Sequence, residues 1–265
     1  MNEFGLLMSV YFRDCPIHLA TALESCDFSR LSEVVIVSDG PVSDLHISTI
    51  KDKVPQNLLK LILLKENKGL GVALNYGLKE CTADYIFRMD SDDVCVNDRF
   101  LAQIEYINLH GCDVLGGHID EFNTVPGIVI SKRCVPLDFE SISKALLRRN
   151  SMNHVTVCFN RRKVIDIGSY QNVIYHEDYD LWIRAVATGL KIENMDKVLV
   201  QVRTGNGFLS RRHGFNYLFM ELKFVLKNVR FFRFSSLEYM LIRCVFRLGP
   251  KFILNFFYSK FLRNN

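Results

Sequence analysis

Carboxylates follow two apolar segments in the N-terminal half of the chain. Asp39 follows residues 34–37 after one serine, and residues 90–93 (Asp-Ser-Asp-Asp) follow residues 85–89. Carboxylates crowded into one loop repel each other unless a cation lies among them. Mg²⁺ and Mn²⁺ are commonly bound by one or two carboxylates together with substrate phosphates. An Asp-x-Asp pair alone is equally typical of a solvated turn or a helix cap.

A third acidic pair, Glu177-Asp178, opens a predicted helix over residues 178–188. Taken alone, the pair is explained by the helix dipole, which favours acidic residues in the first turn. Together with the two acidic strand ends upstream, it suggests a general base across a cleft from a metal-bound diphosphate, because an ionised carboxylate can accept a proton from an attacking hydroxyl.

The segment Asn67-Lys68-Gly69-Leu70-Gly71 could form a phosphate-binding loop, but it matches neither the Walker A nor the dinucleotide-binding pattern. Its glycines are also expected in an ordinary loop that enters a helix. Gly69 and Gly71 would still let the backbone approach a ligand closely.

Strand-like and helical segments alternate through the first half of the chain. The predicted strands are residues 6–12, 34–37, 58–64, 85–89 and 114–117, and the predicted helices are residues 16–26, 70–81 and 98–110. This alternation predicts an α/β fold with a mostly parallel sheet flanked by helices. Ligands of such sheets bind beyond the carboxyl ends of the strands, where Asp39 and Asp90 would lie. Further on, strands are predicted at residues 128–135, 155–159 and 197–202 and a helix at residues 139–148.

The composition divides the chain near residue 210. With 265 residues, 49% apolar and 23% charged, the chain can form a large core, which excludes wholesale disorder. The net charge is +4, but residues 211–265 contain 11 basic and 2 acidic residues together with 14 aromatic ones.

None of the eight cysteines has C-x-x-C spacing, which argues against a zinc or redox motif and favours reduced thiols in a cytoplasmic protein. No signal-like or membrane-spanning segment is evident.

The basic segment is predicted to be helical, since apolar side chains recur at helical spacing from residue 215 to residue 229 and Ser235 and Glu238 match a capping box. A third helical stretch is predicted at residues 252–262. These helices could pack on the main domain, bind nucleic acid or lie on an anionic bilayer. The sustained apolar face argues against nucleic acid, and we predict peripheral association with the inner face of the cell membrane through residues 215–265.

The order and spacing of these motifs resemble the inverting family 2 glycosyltransferases, which have the GT-A fold. The resemblance is greatest to the bacterial members of the amylovoran-biosynthesis type, which build exopolysaccharide, capsule and lipopolysaccharide chains. It covers about residues 5–215. The segments that carry it are residues 9–11, 37–40, 67–77, 88–93 and 177–182, with Gly116-Gly117, residues 153–157 and Arg211-Arg212 in addition.

The resemblance implies a GT-A catalytic domain at residues 1–210, followed by a helical extension at residues 211–265. Asp178 would be the catalytic base and Asp92 would ligate Mn²⁺ or Mg²⁺ on the donor diphosphate. The remaining implied sites are Asp39 for the nucleotide base, Asp90 for the ribose or diphosphate, Tyr11, Asn67, Gly69 and Arg88 for the nucleotide sugar, and Glu177, Trp182 and His154 on the acceptor side. For Trp182 and His154, a purely structural role in the core remains open. A basic cluster either forms a solvated patch or closes over the donor diphosphate: Arg203, Arg211, Arg212 and His213.

The expected reaction is the transfer of one sugar, with inversion, from a UDP-sugar or a related donor to a saccharide acceptor that is lipid-linked. A single addition is expected because the chain lacks the Gln-x-x-Arg-Trp motif and the spanning helices of processive synthases. A sugar nucleotidyltransferase is an alternative, but it would normally have a Gly-rich loop with Arg and Lys at the place of residues 11–15. A non-catalytic nucleotide-binding subunit is a further alternative, which the intact Asp39, Asp92 and Asp178 argue against.

Overall fold

The computed structural model describes residues 2–96, 98–204 and 215–232. The strands of this part of the chain are β1 (Phe4–Val10), β2 (Glu33–Ser38), β3 (Leu59–Leu63), β4 (Tyr85–Asp90), β5 (Val94–Cys95), β6 (Val114–Phe122), β7 (Val129–Arg133), β8 (Cys158–Asn160) and β9 (Ile192–Arg203). The helices are α1 (Pro16–Glu24), α2 (Asp44–Lys53), α3 (Leu70–Glu80), α4 (Arg99–His110), α5 (Phe139–Leu146), α6 (Arg161–Asp166), α7 (Glu177–Ala187) and α8 (Phe215–Lys227).

These strands form one sheet in the order β3-β2-β1-β4-β8-β6-β9-β5, and β7 pairs with β6 beside it. Strands β1 to β4 run parallel to one another. Beyond β4 the sheet is mixed, because β8 is antiparallel to both β4 and β6, whereas β6 and β9 are parallel. The predicted α/β fold is confirmed. The parallel pairing expected of the sheet is found among β1 to β4 and between β6 and β9, and the remaining pairs are antiparallel.

The sheet is covered on both faces, and alternate side chains of each central strand point to opposite sides. In β2, Val35 and Val37 join the apolar core on one face, while Val34 and Ile36 join the core on the other. Helices α3, α5 and α7 contribute to the first core, and α1, α2 and α4 to the second. Because β2 is buried along its whole length, it is a continuous apolar run, as expected of a central parallel strand.

Several elements differ from the sequence prediction. Helices α2 and α6 were not predicted, because they bury few side chains and lack an apolar stripe; α2 buries only His46 and Ile50. The predicted strand at residues 155–159 is partly wrong, since His154–Thr156 is a 3₁₀ turn and β8 begins at Cys158. The Thr156 hydroxyl donates a hydrogen bond to the Asn153 carbonyl over 2.7 Å, which holds this turn.

Helix α8 packs directly on α7. The Phe224 ring stacks on His176 at a centroid distance of 4.7 Å, and Lys227 Nζ lies 2.7 Å from Oδ1 of the fully buried Asp180. The apolar face predicted for residues 215–229 is mostly exposed to solvent, although Val225 is buried. The side of α8 that packs on the domain carries Tyr217 and Phe224 instead.

The proposed boundary near residue 210 and the predicted helices beyond residue 232 lie outside the described residues. In the part of the chain that the structure does describe, no helix combines the length and the apolar character needed to cross a membrane.

Candidate active site

The carboxyl ends of β2, β1 and β4 meet at one edge of the sheet. Val10 pairs with Ser38, and Ser9 pairs with Asp90. The residues that follow, Tyr11 after β1 and Asp39 after β2, therefore lie at the same edge of the sheet as Asp90, with β1 between β2 and β4. The sequence-predicted grouping of these three residues is what the register of the strands produces.

Asp39 is buried and holds the glycine loop. Its two carboxylate oxygens accept hydrogen bonds from the backbone N–H of Lys68 and of Gly69, over 2.7 and 3.0 Å, and its carbonyl accepts one from Asn67 Nδ2. Gly69 has a φ of +90°, which favours glycine and lets the chain turn into α3. A Cβ at Gly40, whose φ is +87°, would come within 2.7 Å of the Asn67 nitrogen. Asp39 thus shapes the loop, and its contact with a nucleotide base stays a prediction.

The loop after β4 concentrates negative charge. Burial, with the charges of Asp90 and Asp14, raises the pKa of Asp92 to about 6. Burial and the charges of Asp90 and Asp92 also raise the pKa of Asp93 well above its usual range. The Ser91 hydroxyl donates a hydrogen bond of 2.6 Å to Asp14, which the sequence analysis did not single out. Carboxylates from two segments of the chain therefore lie close together at this loop.

Two arginines balance this charge. Arg88, almost fully buried in β4, forms an ion pair with Asp90; burial lowers the pKa of Arg88, but the charge of Asp90 outweighs it and raises the pKa overall. Arg203, at the end of β9, donates Nε to the Asp92 carbonyl over 3.2 Å and its backbone N–H to Asp93 Oδ1 over 2.8 Å. Of the predicted basic cluster, Arg203 is thus brought to the acidic loop, and residues 211–213 lie outside the described residues.

The side chains of the acidic loop fit Mg²⁺ or Mn²⁺. They offer hard carboxylate oxygens, and a bound cation would relieve the repulsion by Asp90 and Asp14 that, after burial, raises the pKa of Asp92. Among the residues described, no three His, Cys, Asp or Glu side chains are arranged to hold a metal by themselves. A divalent ion with Asp92 would therefore need further oxygen ligands from a substrate, as is common for Mg²⁺.

The pair Glu177-Asp178 begins α7 across from the glycine loop. A Cβ built on Gly71 would lie 3.3 Å from the Glu177 Cβ, so the start of α3 abuts the start of α7. Burial and the neighbouring charge of Asp178 raise the pKa of Glu177 to about 7. Asp178 Oδ2 accepts a hydrogen bond of 2.7 Å from Asn150 Nδ2, and Oδ1 accepts one of 2.8 Å from the Tyr179 N–H.

Trp182 is packed into the interior, and the half-buried His154 lies against it. His154 Nε2 and the Tyr170 hydroxyl form a hydrogen bond of 2.8 Å, and burial and the charge of Arg88 lower the pKa of the histidine well below its usual range. Trp182 is fully buried and meets the His154 ring edge-on at 6.1 Å. Both fit structural roles in the core, and their contact with an acceptor stays a prediction.

Asn150 and Asp14 belong to this site, although the sequence analysis missed both. Neither residue stands in a motif or an amphipathic pattern. Asn150 follows the helical segment that ends with α5, and Asp14 lies in the loop between β1 and α1. Only their hydrogen bonds to Asp178 and Ser91 identify them.

The family model for glycosyl transferase family 2 matches residues 19–168 of this chain. The amylovoran biosynthesis glycosyltransferase AmsE of Erwinia amylovora is 39% identical, over 97% of this chain and 98% of the relative. A UDP-Gal:alpha-D-GlcNAc-diphosphoundecaprenol beta-1,3-galactosyltransferase of Escherichia coli is 31% identical, over 98% of this chain and 97% of the relative.

Among solved structures, the fold is similar to that of residues 1–349 of S. aureus TarS in complex with UDP-GlcNAc. The TM-score is 0.62 at 17% sequence identity, and the match covers 97% of this chain and 73% of the other. TarS 1–349 in complex with UDP is also similar, with a TM-score of 0.54 at 19% identity over 84% of this chain and 65% of the other. At these identities the likeness concerns the fold.

Proposed function

Because the chain belongs to glycosyltransferase family 2, whose GT-A fold it shares, we propose that it transfers a single sugar from a nucleoside-diphosphate sugar to a lipid-linked saccharide with inversion. The process served would be the biosynthesis of a bacterial cell-surface polysaccharide. One observation carries this proposal: the Glu177-Asp178 pair abuts the glycine loop, which Asp39 holds at the same sheet edge as Asp90, and the charge of Asp90 reaches Glu177.

The donor would lie over the sheet edge formed by Tyr11, Asp39 and Asp90. Asn67 and Gly69 border this edge because Asp39 holds their loop there. Arg88 fixes the position of the Asp90 carboxylate through their ion pair. The UDP-GlcNAc and UDP bound by TarS make a uridine nucleotide the first donor class to test.

Asp92 would hold Mg²⁺ or Mn²⁺ in this loop. When bound, such an ion acts as a Lewis acid that stabilises the charge of the departing nucleoside diphosphate. Arg203 adds a positive charge near the same loop, and its position is fixed by the bonds to Asp92 and Asp93. Arg also matches the geometry of phosphate oxygens.

Asp178 would remove the proton from the acceptor hydroxyl, which attacks the anomeric carbon from the face opposite the leaving group. The N–H donors of Asn150 and Tyr179 stabilise the ionised form of Asp178 and fix its orientation. Because the pKa of Glu177 is about 7, Glu177 can hold a proton near neutral pH, which lowers the repulsion next to Asp178. One displacement by an oriented nucleophile inverts the configuration.

The acceptor is proposed to be lipid-linked, as in the name of the Escherichia coli relative, and the enzyme would then work at the cytoplasmic face of the membrane. Helix α8 offers a surface for this. One side of α8 packs on the domain, and a row of apolar side chains faces solvent on the other: Phe215, Phe219, Leu222, Leu226 and Val229. Lys223, whose ammonium lies 4.5 Å from the Phe219 ring centre, would place its charge near anionic headgroups.

The donor site is tested by thermal unfolding with UDP-, GDP- and dTDP-sugars in the presence and absence of Mn²⁺. We expect one nucleotide class to raise the melting temperature in a Mn²⁺-dependent manner, because a ligand that binds only the folded state stabilises it. The Asp92→Asn variant should lose the Mn²⁺ dependence, and Asp166→Asn, at an exposed carboxylate of α6, should retain it. If no nucleotide sugar stabilises the wild type at millimolar concentration, the proposed donor site is wrong.

A further inference from the structure

Three arginines contact or directly precede Asn150, the residue whose side chain binds the proposed base. Arg133, the last residue of β7, donates Nη2 to the carbonyl oxygen of Asn150 over 2.8 Å. The side-chain amide of the same Asn150 reaches Asp178 Oδ2 over 2.7 Å. A single residue therefore separates the Arg133 guanidinium from the proposed base.

Two further arginines, Arg148 and Arg149, immediately precede Asn150. Arg148 is exposed and Arg149 is half-buried, and no carboxylate of the described residues lies within ion-pair distance of Arg149. Successive side chains of a strand point to opposite sides, so Lys132, which pairs with Asp120 in β6, points away from Arg133. We refer to Arg133, Arg148 and Arg149 together as the acceptor arginines.

We propose that the acceptor arginines bind the diphosphate that links the acceptor sugar to its lipid. This inference rests on the proposed function and specifies its acceptor. A sugar that presents a ring hydroxyl to Asp178 carries its anomeric substituent at another carbon of the same ring, and the Arg133 guanidinium is linked to Asp178 through Asn150. The planar guanidinium matches phosphate oxygens through paired hydrogen bonds.

This site is distinct from the donor diphosphate site. The cations at the acidic loop are Arg88 and Arg203, which bind Asp90, Asp92 and Asp93. The two groups of arginines are attached to different elements: Arg88 to β4, Arg203 to β9, Arg133 to β7 and Arg149 to the segment after α5. Filling the donor site should therefore leave the acceptor arginines accessible.

The test uses the full chain with its donor site filled by saturating UDP and Mn²⁺. Farnesyl diphosphate and farnesyl monophosphate are the probes, and calorimetric titration measures their affinities. We expect the diphosphate to bind at least tenfold more tightly than the monophosphate. Arg149→Gln should weaken binding of the diphosphate about tenfold or more, since hydrogen bonds to charged groups are among the stronger ones. Lys132→Gln, which removes one positive charge from the position of β7 next to Arg133, should change the affinity for the diphosphate less than twofold.

Equal affinities for the two probes, or an Arg149→Gln variant that binds as the wild type does, would overturn the proposal. The comparison of the two probes uses the wild type alone, so the proposal remains testable if the variant does not fold. UDP binding is measured in the same samples. If UDP binds and farnesyl diphosphate does not, only the acceptor site is wrong; if UDP does not bind, the proposed function fails first.

Discussion

The side-chain amide of Asn150 donates a hydrogen bond of 2.7 Å to Asp178 Oδ2, at the first turn of α7. The backbone N–H of Tyr179 donates to the other oxygen over 2.8 Å. Each oxygen of a carboxylate has two acceptor positions, so these two hydrogen bonds do not by themselves saturate Asp178. Its position at a helix N-terminus favours the ionised form that a general base requires.

Replacing Asp178 by asparagine should abolish sugar transfer and leave donor binding intact. The amide keeps the size of the side chain but cannot accept the proton, and general-base catalysis typically contributes ~10²–10⁴-fold. The measurements are the rate of nucleoside-diphosphate release in the presence of acceptor and the affinity for UDP. Asp166→Asn, at an exposed carboxylate, serves as the control. Transfer at the wild-type rate in Asp178→Asn would rule out its role as the base.

Glu177→Gln should make the protein more stable than the wild type at pH 8, but not at pH 4. The pKa of Glu177 is raised from 4.5 to about 7 in the folded state, so its contribution to stability is complete below pH ~4.5 and is lost as the pH rises through 7. Glutamine has no charge to bury and avoids this loss. We expect a difference of about 1–2 kcal/mol at pH 8, after allowance for partial solvent exposure.

Urea unfolding of the wild type and Glu177→Gln at several pH values measures this difference. Glu105→Gln, which removes an exposed carboxylate from α4, should show no comparable trend with pH. A Glu177→Gln variant whose stability parallels that of the wild type from pH 4 to pH 8 would show that Glu177 is not perturbed.

The grouping of Asp39 and Asp90 could be predicted from sequence because it follows from a simple pattern. Apolar runs that alternate with helices predict parallel strands, and the carboxyl ends of parallel strands lie at one edge. The register confirms this, since Ser9 pairs with Asp90 and Val10 with Ser38. The sequence pattern alone could not show that Asp39 binds the backbone of Lys68 and Gly69.

Contacts made by irregular segments could not be predicted. Asn150 reaches Asp178 only because the chain between α5 and β8 folds back over the start of α7, and no periodicity encodes such a path. The side of α8 that packs on the domain could not be predicted for a related reason. Helical spacing placed Leu222 on the predicted apolar face, but it could not show that the domain packs against the side that carries Phe224.

Removing the Asp39 carboxylate should loosen the glycine loop and weaken donor binding together. In Asp39→Ala the N–H groups of Lys68 and Gly69 lose their acceptors, and we expect a loss of about 2–3 kcal/mol in the free energy of unfolding. UDP affinity should fall at least tenfold. For Asp39→Asn, which keeps one acceptor oxygen, we expect a stability and a UDP affinity between those of the wild type and those of Asp39→Ala. If UDP affinity falls while stability is unchanged, Asp39 contacts the nucleotide without organising the loop.

The ion pair between Lys227 and Asp180 should stabilise the docking of α8. Asp180 is fully buried and also bonds Arg184 Nε over 2.8 Å, so Lys227→Met leaves its charge partly compensated. We expect a loss of about 1–2 kcal/mol in the free energy of unfolding, less than for a buried charge left alone. Lys223→Met, on the exposed side of α8, should change stability by under ~0.5 kcal/mol. Equal effects of the two variants, measured by urea unfolding, would contradict a specific role for the Lys227 contact.

The exposed apolar row of α8 should determine membrane binding. A triple variant that places serine at three of its positions, Phe219, Leu222 and Leu226, removes apolar area that would otherwise insert among the lipids. At roughly 25 cal/mol per Å² of buried apolar surface, this loss should lower the affinity for phosphatidylglycerol vesicles at least tenfold. A matched variant has serine at three exposed apolar positions elsewhere, Ile17, Leu45 and Leu109, and should sediment with the vesicles as the wild type does. Because α8 packs on the domain through its other side, both variants should keep the wild-type affinity for UDP. Equal sedimentation of the two variants would show that the membrane contact, if the wild type makes one, does not involve this row.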